Sequence, residues 1–195
     1  MSRRAEIVRR ATEVFERQGV SRTSFEDIAQ AVGIKREAIY YYFKSRADLL
    51  LEVIVPQSTA LLKNLRLIQQ TGLSSRDKLH EDIRNHLDSF NPNYLEMSVA
   101  LREDHFFDDD ARLAELRRTW QDYDRIWSEL IAEGQAAGEF KPDLDAKMVA
   151  YGVLGMCNWV ARWYDPGKDV TISQLIETYF TMIASGIGSE ANTGA

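Results

Sequence analysis

The sequence predicts an all-α protein of about nine helices, a short three-helix unit at the N-terminus followed by a longer helical bundle. Three observations carry that prediction. Apolar residues recur at three- and four-residue intervals along most of the chain, and no stretch keeps the two-residue alternation of a half-buried strand. Proline and glycine are sparse, four and eleven in 195 residues, so few segments are forced to break. Two capping-box patterns mark helix starts near the N-terminus.

The first helix is expected from about Arg3 to Gln18, with Ile7, Val8, Ala11, Val14 and Phe15 on one apolar stripe. Gly19 follows as the residue that accepts a positive φ and ends the helix. Thr23-Ser24-Phe25-Glu26 reads as a Thr-x-x-Glu capping box opening a second helix over Ser24–Val32, with Phe25, Ile28, Ala29 and Val32 inward. Gly33 supplies a tight turn. A third helix, Lys35–Phe43, carries Ala38, Ile39, Tyr42 and Phe43 inward. Ser45-x-x-Asp48 is the second box and starts a fourth helix through Leu49, Leu50, Val53 and Ile54. Pro56 is expected to kink or end that helix, because its ring clashes with the preceding turn and it has no amide to donate.

Further helices are expected over Ser58–Gln70, Ser75–Phe90, Tyr94–Asp104, Asp110–Ala137, Asp143–Tyr164 and Ser173–Ile187. Gly72, Pro92, Asp108-Asp109-Asp110, Gly138 with Pro142, and Pro166-Gly167 divide them. The expected domains are residues 1–46 and 47–188. The small polar residues 189–195 are expected to be a disordered tail.

Composition narrows the function. No apolar run approaches the roughly 18–20 residues needed to cross a bilayer, so no membrane partner is expected. Met1-Ser2-Arg3-Arg4-Ala5-Glu6 has no apolar segment behind it and does not read as a secretory signal. A single cysteine, Cys157, cannot form an internal disulfide, which fits a reducing cytoplasmic setting. The net charge of −6 is unevenly distributed: residues 1–50 hold ten Lys and Arg against seven Asp and Glu, net +3, which leaves −9 on residues 51–195. A basic end on an acidic body suits a protein that meets phosphate with one end only.

Three short helices with a glycine turn between the second and third make a helix-turn-helix, whose third helix enters the major groove of double-stranded DNA. The outer face of that helix holds Lys35, Arg36, Glu37, Tyr40 and Tyr41, with Lys44 just beyond. Cations reach phosphate or guanine, and tyrosine hydroxyls donate to phosphate. Thr23 and Ser24 stand at the start of the second helix, where free amides face another phosphate. The alternative is an ordinary three-helix bundle with a solvated face, against which stand two exposed tyrosines among the basic groups.

Ser24-Phe25-Glu26-Asp27-Ile28-Ala29, Ala31-Val32-Gly33-Ile34, and Ala38-Ile39-Tyr40-Tyr41-Tyr42-Phe43-Lys44-Ser45-Arg46 resemble the signature of the tetracycline-repressor (TetR) family. The resemblance covers residues 5–54 without a gap. It implies a homodimeric regulator, usually a repressor, released from a palindromic operator by a small ligand. It also implies DNA contacts from Thr23, Lys35, Arg36, Tyr40, Tyr41 and Lys44, with Tyr40 and Lys44 on phosphate. Lys35 stands where the family often has a small capping residue, and Glu37 where it has a glycine or another small one. Glu37 either accepts from cytosine or repels phosphate.

In the rest of the chain, Leu113, Leu116, Trp120, Tyr123, Trp127, Leu130 and Ile131 share one face of a long helix. Most of that stripe is expected to be core; its aromatics, with Trp159, are candidates to wall a ligand cavity in the bundle. The last two helices are apolar almost all round, which predicts burial on both sides and a two-fold four-helix interface, with Val153 and Ile183 in it and Gly152 and Gly155 allowing close approach. The stretches 138–145 and 158–167 resemble the C-terminal half of TetR-family regulators of fatty-acid and steroid breakdown, many of which respond to acyl-CoA thioesters. A CoA ligand needs an apolar tunnel and a basic, aromatic mouth, which Arg162 and Trp163 are expected to supply, with Asn158 as a polar contact. The alternative is that Trp163-Tyr164 caps the helix and Arg162 pairs with an acid.

No cofactor and no metal is expected. His80 and His86 are six residues apart, which is not one helical face, and there is no Glu-x-x-His. Cys157 reads as a small core residue. Neither a phosphate-binding glycine loop nor a nucleophile motif supports an enzyme. The remaining alternative is a DNA-binding regulator controlled by a different hydrophobic ligand or by a protein partner.

Overall fold

The computed structural model describes residues 2–89, 94, 97–98, 101, 111–165 and 167–188. Among them are eight helices: α1 Arg3–Gln18, α2 Phe25–Val32, α3 Arg36–Tyr42, α4 Arg46–Gln69, α5 Ser75–Asp88, α6 Ala111–Ala136, α7 Ala146–Trp163 and α8 Ile172–Ile187. Tyr94, Met97, Ser98 and Leu101 are also helical; the rest of the helix expected over Tyr94–Asp104 lies outside the described residues, as do His105 and the expected tail. The described residues contain no strand, only an isolated antiparallel bridge between Phe140 and Gly188. None of these helices is long and apolar enough to cross a membrane.

The chain divides into two compact units, Met1–Thr59 with Asn91–Arg118, and Ala60–Phe90 with Thr119–Ala195. In the first unit, Ile7, Ala11, Val14 and Phe15 of α1 are buried with Ile28 and Ala29 of α2 and Ile39 of α3. Each of the Ile, Val and Phe side chains among them contributes about 1.5–3 kcal/mol by leaving water. Gly19 ends α1 at φ 83° and Gly33 ends α2 at φ 74°, both in the region where a side chain is strained.

Two local expectations need correction. The capping box of α2 is Ser24 with Asp27, one position later than the Thr23–Glu26 reading. Thr23 is buried and donates its hydroxyl to the Gly19 carbonyl at 2.7 Å, so Ser24 is the residue left to cap. The hydroxyl and amide of Ser24 hold the Asp27 carboxyl below its usual range. Pro56 does not end α4, which runs 24 residues with the proline inside it. Leu49, Leu50, Leu51 and Ile54 before it and Leu61, Leu62 and Leu65 after it are all buried, and that burial offsets the roughly 3 kcal/mol a mid-helix proline costs.

The second unit is built on one apolar cluster drawn from α4, α5, α6, α7 and α8, with Trp127, Leu65, Leu79, Ile83 and Val160 among its members. α5 packs on α8. After α6, Phe140 turns back over Gly134, where a β-carbon would stand only 2.2 Å from its ring. The Lys141 amide then donates to the Ile187 carbonyl at 2.7 Å, fastening that turn to the end of α8.

Within the protomer, α7 and α8 bury one face and leave the other open. Ala150, Val153, Leu154, Cys157 and Val160 point into the core, whereas Met148 (70% exposed), Tyr151, Trp159 (61%) and Trp163 form an apolar stripe in the open. Met182 of α8 is exposed as well. Val153 and Ile183, expected at an interface, face this protomer's own core: they fall on the same turns as Cys157 and Ala184, which are buried too.

Candidate functional site

The N-terminal face is set by α3, seven residues long and begun by Lys35, whose side chain makes no capping hydrogen bond. That leaves Lys35 exposed beside Arg36 and Glu37. Tyr41 is 83% exposed. Arg36 donates to the Tyr40 hydroxyl at 3.2 Å, and the Tyr40 ring meets Phe25 edge-on at 5.2 Å, so α2 fixes the direction of that phenol. Lys44, just past α3, is exposed and in no ion pair among the described residues. The Thr23 hydroxyl is occupied by Gly19, and Ser24 stands exposed at the head of α2.

A cleft of about 420 Å³ opens beside that helix start, lined among others by Arg22, Ser24, Arg36, Tyr40 and Arg46. Arg22 is anchored on the Gln18 carbonyl at 2.8 Å, and Arg46 donates to the Val20 carbonyl. Three guanidinium groups, two hydroxyls and the first amides of a helix are the donors a phosphate accepts. Arg22 and Arg46 were missed in the sequence, where nothing in their spacing places them beside Ser24.

In the second unit, His86 of α5 joins Tyr123 of α6 and Asn158 of α7. Its Nδ1 is 3.0 Å from the Tyr123 hydroxyl and its Nε2 is 3.2 Å from Asn158 Oδ1. Burial pushes the imidazole down to about 4, against the pull of the Asn158 bond, so it is neutral at pH 7. Asn158 Oδ1 only accepts, so Nε2 carries the hydrogen and Tyr123 donates to Nδ1. Trp127 lies beside Tyr123, ring centroids 6.2 Å apart, fully buried, with no partner for its indole N–H among the described residues. Such an orphan donor costs about 1–3 kcal/mol.

The seven residues put forward from the sequence thus fall into groups. Tyr123 and Asn158 meet at His86, with Trp127 beside Tyr123; Trp120 is buried; Trp159, Arg162 and Trp163 lie exposed on α7. His86 entered the sequence reading only as a metal ligand, yet its position three residues after Ile83 and seven after Leu79 put it on the buried face of α5. His80 bonds Glu177 at 2.9 Å, and among the described residues no three His, Cys, Asp or Glu side chains are arranged to hold a metal ion. Asp82 was also missed. It is fully buried in α5, Gln69 donates to both its oxygens at 3.1 and 2.9 Å, and burial pushes its carboxyl up to about 8. Burial likewise pushes the Cys157 thiol up to about 12, which leaves it unreactive.

The three-helix head with its glycine turn, and the basic and tyrosine-bearing face of α3, define a helix-turn-helix transcription regulator. Residues 7–53 match the domain described as bacterial regulatory proteins, tetR family, and residues 72–187 match the tetracyclin repressor-like C-terminal domain. The chain belongs to the TetR family of DNA-binding regulators. It is 26% identical over 191 residues to the HTH-type transcriptional repressor KstR2 of Rhodococcus jostii (strain RHA1), covering 97% of this chain and 93% of that one. Its fold is similar to the ketosteroid transcriptional regulator KstR2 of Mycobacterium tuberculosis, with TM-score 0.82, 22% identity and 97% and 96% of the two chains covered. It is similar also to AibR in complex with isovaleryl coenzyme A and operator DNA, with TM-score 0.75, 18% identity and 93% and 97% covered.

Proposed function

We propose that the protein is a homodimeric repressor that leaves a palindromic operator when a small hydrophobic molecule, an acyl-CoA thioester, binds its C-terminal bundle. The observation that carries the ligand half is the neutral His86–Tyr123–Asn158 trio, set inside an apolar core beside the indole N–H of Trp127, which has no partner among the described residues. Polar groups are costly in such a core unless something they bind justifies them. The named repressor activity of the KstR2 relative and the isovaleryl coenzyme A held by AibR support the same reading. The open apolar stripe of α7, with Met182 of α8, supplies the dimer face. Tyr40 and Lys44 hold phosphate, Lys35 and Arg36 read bases, and the two heads sit about 34 Å apart on successive major grooves. A ligand that favours another head spacing lowers DNA affinity, and DNA lowers ligand affinity by the same factor.

The test uses a palindromic duplex selected by the protein from a randomised pool. The complex is titrated with isovaleryl-CoA and decanoyl-CoA, each beside its free acid. Release by an ester, lost in Arg162→Ala with duplex binding unchanged, is the expected result. Equal potency of ester and acid favours a second reading, a regulator of an apolar ligand without CoA. The exposed, separate position of Arg162 and Trp163 and the −9 charge of residues 51–195 speak for that reading.

A further inference from the structure

The end of α3 is held by a four-charge cluster in which only one member belongs to the three-helix head. Arg4 of α1 donates to the Tyr42 carbonyl, and its guanidinium lies 4.4 Å from the centre of the Phe43 ring. Asp48 Oδ2 accepts the Lys44 amide at 3.0 Å. Three successive residues at the exit of α3 are therefore fixed by Arg4 and Asp48. Asp48 and Glu52 lie one turn apart in α4, and Glu52 binds Arg4 at 2.7 Å. The fourth member is Arg112, in the first turn of α6: it binds Asp48 Oδ1 at 2.8 Å and Glu52 at 3.4 Å.

We propose that Arg112 is a positioning residue for DNA reading, acting through Asp48 on the backbone that presents Lys44. The two oxygens of Asp48 divide the work, one to Arg112 and the other to the Lys44 amide. Asp48 is only 13% exposed, so its field is poorly screened, and removing Arg112 leaves two neighbouring carboxylates with one guanidinium between them. Repulsion then turns Asp48 off the amide, and the segment carrying Lys44 loses its fixed register against phosphate. Arg112 itself need not touch DNA.

The proposal rests on DNA binding by the head and is tested on the duplex selected by the wild-type protein. Arg112→Ala is expected to weaken binding about tenfold and to lower the salt slope by no more than the roughly one unit that Lys44→Ala costs, since the phosphate contact it disturbs is that of Lys44. Arg112→Lys recovers most of that loss. Arg118→Ala removes the same charge from the same helix outside the cluster and leaves affinity within about twofold. In an Asp48→Asn background Arg112→Ala adds little. The second readout needs no DNA: exchange of the Lys44 amide, followed by NMR below any loss of fold, speeds up in Arg112→Ala and not in Arg118→Ala. Unchanged affinity and amide protection in Arg112→Ala, or equal losses in Arg118→Ala, overturn the proposal. A wild-type protein that selects no duplex refutes the DNA reading instead, and the amide exchange still decides the role of Arg112.

Discussion

The imidazole of His86 and the phenol of Tyr123 share a 3.0 Å hydrogen bond across α5 and α6, with the ring held neutral by burial. The folded-state pKa, about 4, lies below the ordinary value of 6.5. The unfolded chain therefore binds the extra proton first, and the contribution present above pH 6.5 is lost as pH falls from there through 4. Between pH 7 and 4.5 the wild type is expected to lose roughly 1–3 kcal/mol more than His86→Gln. Urea midpoints at pH 7, 6 and 5 check it; parallel curves for the two proteins exclude a buried neutral histidine.

Asp82 has the opposite sign. Its folded pKa, about 8, lies above the ordinary 3.8, so its favourable contribution is present at low pH and is lost as pH rises through 8. Asp82→Asn keeps the size and the bond to Gln69. It is expected to raise the melting temperature at pH 8 by about 3–8 °C and to change little at pH 4.5. A destabilised variant at pH 8 would mean that the carboxylate is well solvated there.

On the DNA face, Lys44→Ala and Tyr40→Phe should weaken all duplexes alike, and Lys44→Ala should reduce the salt slope by about one. Lys35→Ala or Arg36→Ala should change the preferred site, at about 1–3 kcal/mol per base contact. Thr23→Ala should cost about 1 kcal/mol of stability, because its hydroxyl holds Gly19. Competition binding with scrambled duplexes separates these roles; an altered site preference in Lys44→Ala would reverse them.

The dimer face is tested on residues that are open in the protomer. Met148→Glu with Trp159→Glu should give a folded monomer that no longer holds a palindrome. Val153→Glu should unfold the bundle instead, since it buries a charge in the protomer's own core. Sedimentation velocity with circular dichroism distinguishes the two. A wild type that sediments as a monomer at micromolar concentration removes the interface altogether.

The helix-turn-helix was legible because its determinants are local. The stripe Ile7–Phe15 reports a buried face, Gly19 and Gly33 report positive φ, and Tyr40 and Tyr41 of α3 stand outside the apolar repeat. Pro56 does not end its helix because burial by distant segments outweighs a local backbone rule. Val153 and Ile183 were misplaced for a related reason. A helix with apolar residues all round does not say which side meets its own core and which stays open.

The interior trio was half legible. Tyr123 and Trp127 share a helical face, but the convergence of His86, Tyr123 and Asn158 spans 72 residues of sequence and three helices. The Arg4–Asp48–Glu52–Arg112 cluster was not legible at all. It joins residues 108 positions apart by charge alone, and a chain with 24 Lys and Arg and 30 Asp and Glu offers too many equivalent pairings to choose among.

The four tryptophans fall into two optical classes, since Trp120 and Trp127 are buried whereas Trp159 and Trp163 stand in the open. Without any label, the emission of this protein is the sum of a blue component from the bundle and a red one from α7, and acrylamide extinguishes the second first. Dilution through the dissociation range of the dimer should increase quenching of the red component alone. An inducer entering beside Tyr123 should perturb the blue one. Assembly and occupancy can therefore be followed as two separate signals in a single cuvette.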